Sequence, residues 1–179
     1  MHQRSTNRLR WLLALLILAS CIGCDQATKF VATKALQPQA RHSFCADTVR
    51  FEYSLNPGGF LSLGADLPGE VRQGLFLCCN SLLTLALCTY LWRNHQISLT
   101  FFASLVLVVA GGLGNMIDRA CNNGLVTDFL NIGIGPVRTG IFNVADIAIT
   151  GGALAAIVLS WRDARPSLHH SPNNNTSTR

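Results

Sequence analysis

The stretch LLALLILASCIGCDQATKF, residues 12–30, decides the fold. Three arginines, Arg4, Arg8 and Arg10, precede it, and its uninterrupted apolar run extends only from Trp11 to Cys24. That run is short for a membrane span and suits the apolar region of a removable signal peptide, with Leu18-Ala19-Ser20-Cys21 as a small-residue cleavage box. The alternative is a permanent membrane helix, which must carry Asp25 toward the far interface. The choice depends on whether Asp25 has a role at that depth.

Composition favours a membrane protein. Of 179 residues, 49% are hydrophobic and 13% charged, about half the charged share of a soluble domain. The length allows one domain. The net charge of +5 is spread along the chain rather than gathered into a basic footprint, which argues against nucleic acid as a partner. Seven cysteines follow no metal or disulfide spacing. Cys21, Cys24, Cys78, Cys79 and Cys88 lie in apolar runs, where cysteine acts as a small hydrophobe. Cys45 and Cys121 fall in polar segments and pair only if those segments meet.

Working outward, the expected spans are 11–28, 73–92, 97–117 and 141–161, each near the ~20 apolar residues that cross a hydrocarbon core. The turn Arg93-Asn94-His95-Gln96 makes the middle two an antiparallel hairpin. Short basic segments place both termini in the cytoplasm. The outer segments are then 25–72 and 118–140, and the polar tail 163–179 reads as disordered. The fold class is therefore membrane α-helical: a four-transmembrane-helix bundle, a small extracytoplasmic β-sheet and a second extracytoplasmic loop. The sheet is expected from Val49, Phe51, Tyr53 and Leu55 alternating with polar residues, apolar face toward the membrane. Gly-rich 118–140 reads as a loop able to fold over a site.

This topology brings aspartates from three helices to one depth near the outer face. Asp25 and Lys29 are spaced i, i+4; Asn115, Asp118 and Arg119 share one helix face; so do Asn143 and Asp146. A single aspartate at a helix end marks only the head-group zone. Asp146, in the second turn of its expected span and followed by a long apolar run, needs the bundle interior or a wet cavity. Asp128, between Thr127 and Phe129 in the second outer segment, is a further candidate. Spacing alone leaves Asp118 and Asp128 as alternatives.

The motifs DQATK, NPGG, GNMIDR, VTDF and FNVADIAIT, taken together and in order from Asp25 to about Gly152, resemble the lipoprotein (type II) signal peptidases. The resemblance implies an aspartic endopeptidase that removes the signal peptide from diacylglyceryl-modified prolipoproteins, cutting before the lipidated cysteine. It implies Asp128 and Asp146 as the catalytic pair. Asp25, Lys29, Asn56, Gly58, Asn115, Asp118, Arg119 and Asn143 then bind substrate or support the site, with no metal or cofactor. It implies the bacterial inner membrane as location, with the site toward the periplasm, and sensitivity to the family's cyclic-peptide inhibitors. It also makes the first segment a retained span. One departure marks a divergent branch: the family pattern Asn-x-Gly-Ala-(Ala/Ser)-Phe is here Asn56-Pro57-Gly58-Gly59-Phe60-Leu61, which bears on substrate preference. Two rival readings are a small transporter or proton relay, which needs polar groups along its whole path, and a structural subunit without activity.

Overall fold

The computed structural model describes residues 2–37, 41–58 and 66–163. The elements in chain order are α1 (His2–Leu36), β1 (His42–Phe44), β2 (Val49–Asn56), α2 (Gly69–Arg93), α3 (Leu99–Cys121), β3 (Val126–Ile134), β4 (Val137–Arg138) and α4 (Val144–Asp163). All four helices are long and apolar enough to cross a membrane. The expected tail lies outside the described residues, apart from Asp163, which ends α4.

α3 is the central helix, packing against α1, α2 and α4. Its buried side chains include Phe102, Val106, Val109 and Ala110. The outer helices instead turn large apolar side chains outward: Leu15 and Leu16 on α1, Leu82 and Leu85 on α2, Val158 and Trp161 on α4 are all more than half exposed. In water such a surface is unfavourable; in a bilayer it is the lipid-facing side.

Small residues set the α3–α4 distance. A Cβ on Gly111 would lie 2.4 Å from the Ala145 carbonyl oxygen, and one on Gly152 would lie 2.6 Å from that of Ser104. Close backbone approach at small residues is a principal source of helix association in lipid. Gly111→Ala is therefore expected to destabilise the bundle by roughly 1–3 kcal/mol through overpacking. Gly23→Ala, where a Cβ meets nothing within 4 Å, should be neutral or slightly stabilising. Thermal unfolding in one detergent checks the pair; equal midpoints would contradict the packing account.

At one end, Arg10 pins the bundle. Buried at 8% exposure, its guanidinium donates to the carbonyls of His95 and Ile97 in the α2–α3 turn. It also sits 4.7 Å from the Phe102 ring centroid. Trp11 stacks edge-on against Phe102 at 5.8 Å, beside a core of Ala14, Leu91, Phe102 and Val106.

Four sequence expectations change. α1 does not end near residue 28 but continues to Leu36, because Asp25 and Lys29 find partners inside the bundle. α4 begins at Val144 rather than 141, so Asp146 sits in its first turn, not its second. The second outer segment is not mainly a loop: β3 is an inner strand of a four-stranded antiparallel sheet ordered β1-β2-β3-β4. β3 escapes an alternation reading because Val126, Thr127, Asp128 and Phe129 are all buried in succession. On β2 the expected alternation is also blurred, with Leu55 its most exposed side chain. Cys45 and Cys121 are both free.

Candidate functional site

The loop joining α3 to β3 is tight. Asn123 (φ 54°) and Gly124 (φ 84°) are left-handed, and the Gly124 amide bonds back to the Arg119 carbonyl at 2.9 Å, a helix stop of the kind glycine favours. Asp118 then reaches past the turn and accepts from the Thr127 amide at 2.9 Å. This fixes the start of β3, one residue before Asp128.

Asp128 is held from two sides. A register irregularity between Phe51 and Ser54 leaves Ser54 opposite Asp128 and Asn56 opposite Val126. Asn56 is thereby diagonal to Asp128, and its Nδ2 donates to Asp128 Oδ2 at 2.9 Å. From the other side Asn143 Nδ2 donates to Asp128 Oδ1 at 2.7 Å. The Asn56 side chain is itself oriented by the Gly58 amide, 2.9 Å from its Oδ1.

Asp146 is placed by a helix-capping exchange. Asn143 is the residue before α4; its Oδ1 accepts from the Asp146 amide at 3.0 Å, and Asp146 Oδ2 accepts from the Asn143 amide at 3.1 Å. This is the reciprocal box that Asn-x-x-Asp can make at a helix start. Asn115 Nδ2 donates to the other oxygen, Asp146 Oδ1, at 2.9 Å. Phe142, bridged to Leu130, zips the α4 start onto β3. Asn143, fully buried, therefore grips both carboxylates.

Behind this pair lies a buried charge cluster. Lys29 Nζ is 2.8 Å from Asp25 Oδ2 and 3.2 Å from Asp118 Oδ2, and it donates to Asn115 Oδ1 at 3.0 Å. Asp25 Oδ1 accepts the Ala145 amide in the first turn of α4 at 2.9 Å, where negative charge also suits the helix dipole. Gln26 Nε2 spans Asp25, Asp118 and the Gly114 carbonyl. Arg119 donates to the Gly58 carbonyl at 2.9 Å and lies 5.2 Å from the Phe76 ring; its buried Nε has no partner among the described residues.

Asn56, Asn115, Arg119, Asp128 and Asp146 all line one cavity of about 550 Å³, which continues between α2 and α4 past Phe76 and Ala153. Asp128 is 2% exposed. Burial pushes its carboxyl up to about 6, opposed by the Asn56 hydrogen bond, raised further by the charge on Asp146, and opposed again by Asn143 and Lys29.

The structure thus gathers Asp25, Lys29, Asn56, Gly58, Asn115, Asp118, Arg119, Asp128, Asn143 and Asp146 at one end of the bundle. Gln26, Asn80 and Thr150 were not singled out from the sequence. Gln26 carried a signal, since it lies three residues before Lys29 on the same face; Thr150 and Asn80 line the cavity, and Asn80 Nδ2 also donates to the Gly112 carbonyl at 3.1 Å.

Fold and site together define a class: a multi-pass helical membrane protein with a recessed acidic site capped by a small sheet. A family model described as signal peptidase (SPase) II matches residues 17–162. The lipoprotein signal peptidase of Desulforapulum autotrophicum is 33% identical over 142 residues, 79% of this chain and 87% of its own length. That of Mycobacterium avium is 30% identical over 165 residues, 89% and 83% of the two chains. A bacterial membrane enzyme solved by the in meso method at 2.3 Å aligns with a TM-score of 0.75 at 24% identity, covering 93% of this chain and 94% of that one, a likeness of fold. The chain belongs to the signal peptidase II family, a family of peptidases.

Proposed function

We propose that this chain is an aspartic endopeptidase of the bacterial inner membrane that removes the signal peptide from diacylglyceryl-modified prolipoproteins, cutting before the lipidated cysteine. The observation that carries this reading is the pairing of Asp128 and Asp146 on the wall of one cavity, both bonded to Asn143.

Two neighbouring carboxylates in a poorly solvated site hold one proton between them, which gives a base and an acid from the same side-chain type. The ionised member takes a proton from water as the water oxygen attacks the scissile carbonyl, and the protonated member gives its proton to the carbonyl oxygen. The tetrahedral diol then collapses: a hydroxyl proton returns to a carboxylate, the nitrogen gains a proton, and the C–N bond breaks. Water is consumed, and an acid and an amine are released. The proton belongs to the pair, not to one residue. Arg119, with its buried Nε unpartnered among the described residues, is suited to a substrate carbonyl along the same wall, while Asn115 is committed to Lys29, Asn143 and Asp146 and orients the pair.

α1 is retained in this reading, since Asp25 and Lys29 belong to the site. Both termini are cytoplasmic and the site faces the periplasm. The test is cleavage of a purified diacylglyceryl-modified precursor by the full chain in detergent, with a cyclic-peptide inhibitor of the family as control. No cleavage would refute the reading.

A pH dependence follows. With Asp128 displaced to about 6, the shared proton is lost as pH rises above that value. kcat/KM should then decline on the alkaline side, by about tenfold per pH unit once past the controlling value, and decline again in acid when both carboxyls are protonated. A flat profile from pH 4 to 9 would contradict proton sharing.

A further inference from the structure

Asp146 borders two cavities, not one. The second, about 420 Å³, shares Asn56, Asp146, Thr150 and Leu154 with the first, but its further lining is 139–142, Ile147 and Gly151 rather than residues of α2 and α3. Its roof is the backbone strap 139–142 between β4 and α4, and its floor is the α4 face of Ile147, Gly151 and Leu154. Ile147 is 52% and Leu154 58% exposed, so in a bilayer this floor is continuous with the lipid.

The two cavities differ in chemistry. The first carries Asn80, Asn115, Arg119 and both carboxylates among apolar residues of α2 and α4, so it holds more of the polar groups that suit a peptide backbone. Among the described residues the second has Asp146 as its one charged lining residue; Asn56, Thr139 and Thr150 are polar, and Ile141, Phe142, Ile147 and Leu154 make the rest of its wall apolar. A substrate whose scissile bond adjoins a diacylated cysteine needs these two environments on opposite sides of the reacting carbonyl. We infer that the second cavity, between the 139–142 strap and α4, is the subsite for the acyl chains of the substrate, while the α2–α4 cavity takes the peptide. This rests on the functional reading above and adds a separate lipid subsite to it.

The physical effect is positional. Acyl chains gain little hydrophobic free energy on moving from lipid to an apolar cavity. Seating them beside Asp146 instead fixes the adjoining peptide bond against the carboxylates, where a displacement of about 1 Å can cost about a hundredfold in rate.

Gly151 offers a selective probe. A Cβ there meets nothing within 4 Å, and the residue borders only the second of the two cavities. The experiment compares the purified full chain with Gly151→Phe and Ala153→Phe, the latter filling the peptide cavity. Two lipopeptides of one sequence serve as substrates, one with long acyl chains and one with acetyl groups in their place. For Gly151→Phe, kcat/KM should fall about tenfold or more on the long-chain substrate and less than about twofold on the acetyl one. Ala153→Phe should lower both alike. Equal effects of Gly151→Phe on the two substrates, or a chain-length effect that follows Ala153→Phe instead, would overturn the subsite.

A second measurement needs no variant. A non-cleavable lipopeptide with a photoreactive group at an acyl terminus should label the wild type at 139–142, Ile147 or Gly151, which border the second cavity alone. Labelling of 76–83, or diffuse labelling of lipid-facing helices, would overturn the assignment. Failure of the functional reading is distinguishable, because the wild type would then cleave neither lipopeptide.

Discussion

Asp128→Asn and Asp146→Asn should each lower turnover of a lipid-modified precursor by at least about a thousandfold, because the one remaining carboxyl cannot serve as base and acid together. Stability should not follow activity. The Asp128 carboxyl is shifted from 3.8 to about 6 in the folded chain, so the native state binds its proton more tightly than the unfolded chain. That contribution favours folding below pH about 4 and is lost as pH rises from 3.8 to about 6. At pH 8 the wild type thus carries a buried charge at a penalty of up to roughly 3 kcal/mol. Asparagine relieves it, though its amide must also face the donors Asn56 and Asn143. The expected result is a Tm for Asp128→Asn at pH 8 equal to or above wild type, with the difference shrinking or reversing below pH 4. Substantial turnover in either purified variant would refute the dyad. An unfolded Asp128→Asn at pH 8 would refute this account of its burial.

The second large effect belongs to Lys29. At 4% exposure it is the cation between Asp25 and Asp118, themselves 1% and 4% exposed. Lys29→Met leaves two carboxylates buried together without a counter-ion, and removing one partner of a buried ionic group costs about 3–5 kcal/mol. The same change reaches the site, because Asp25 holds the Ala145 amide at the start of α4 and Asp118 holds the Thr127 amide at the start of β3. Loss of stability and of cleavage are therefore both expected. Replacing all three charges, as Lys29→Met with Asp25→Asn and Asp118→Asn, should recover a large part of the stability, since the uncompensated charge is gone. If Lys29→Met unfolds at the wild-type temperature, the cluster is not a buried ionic network.

Spans and most polar side chains of the site were legible in the sequence because both follow helical spacing. Apolar runs near 20 residues identify α2, α3 and α4, and i, i+3 and i, i+4 spacing aligns Asn115 with Asp118 and Arg119. What spacing alone could not supply was Asp128. It sits on a strand whose neighbours are all buried, so alternation fails there, and its partner Asn56 arrives through a register irregularity in β2. Only resemblance to known peptidases separates Asp128 from Asp118 in the sequence; in the structure Asp118 pairs with Lys29, whereas Asp128 meets amide donors from Asn56 and Asn143. The continuation of α1 to Leu36 was hidden for a related reason. A sequence reading treats Asp25 and Lys29 as the edge of the membrane, but charges that neutralise each other inside a bundle set no edge.

Asn143 makes one tether serve a strand residue and a helix residue together. Hydrogen bonds from this one residue to both carboxylates oppose any displacement of β3 that the α4 cap does not share. The spread in their mutual separation is then narrower than the wandering of either group alone. In the proposed dyad, proton exchange would depend on that separation, and the tether is what limits its spread.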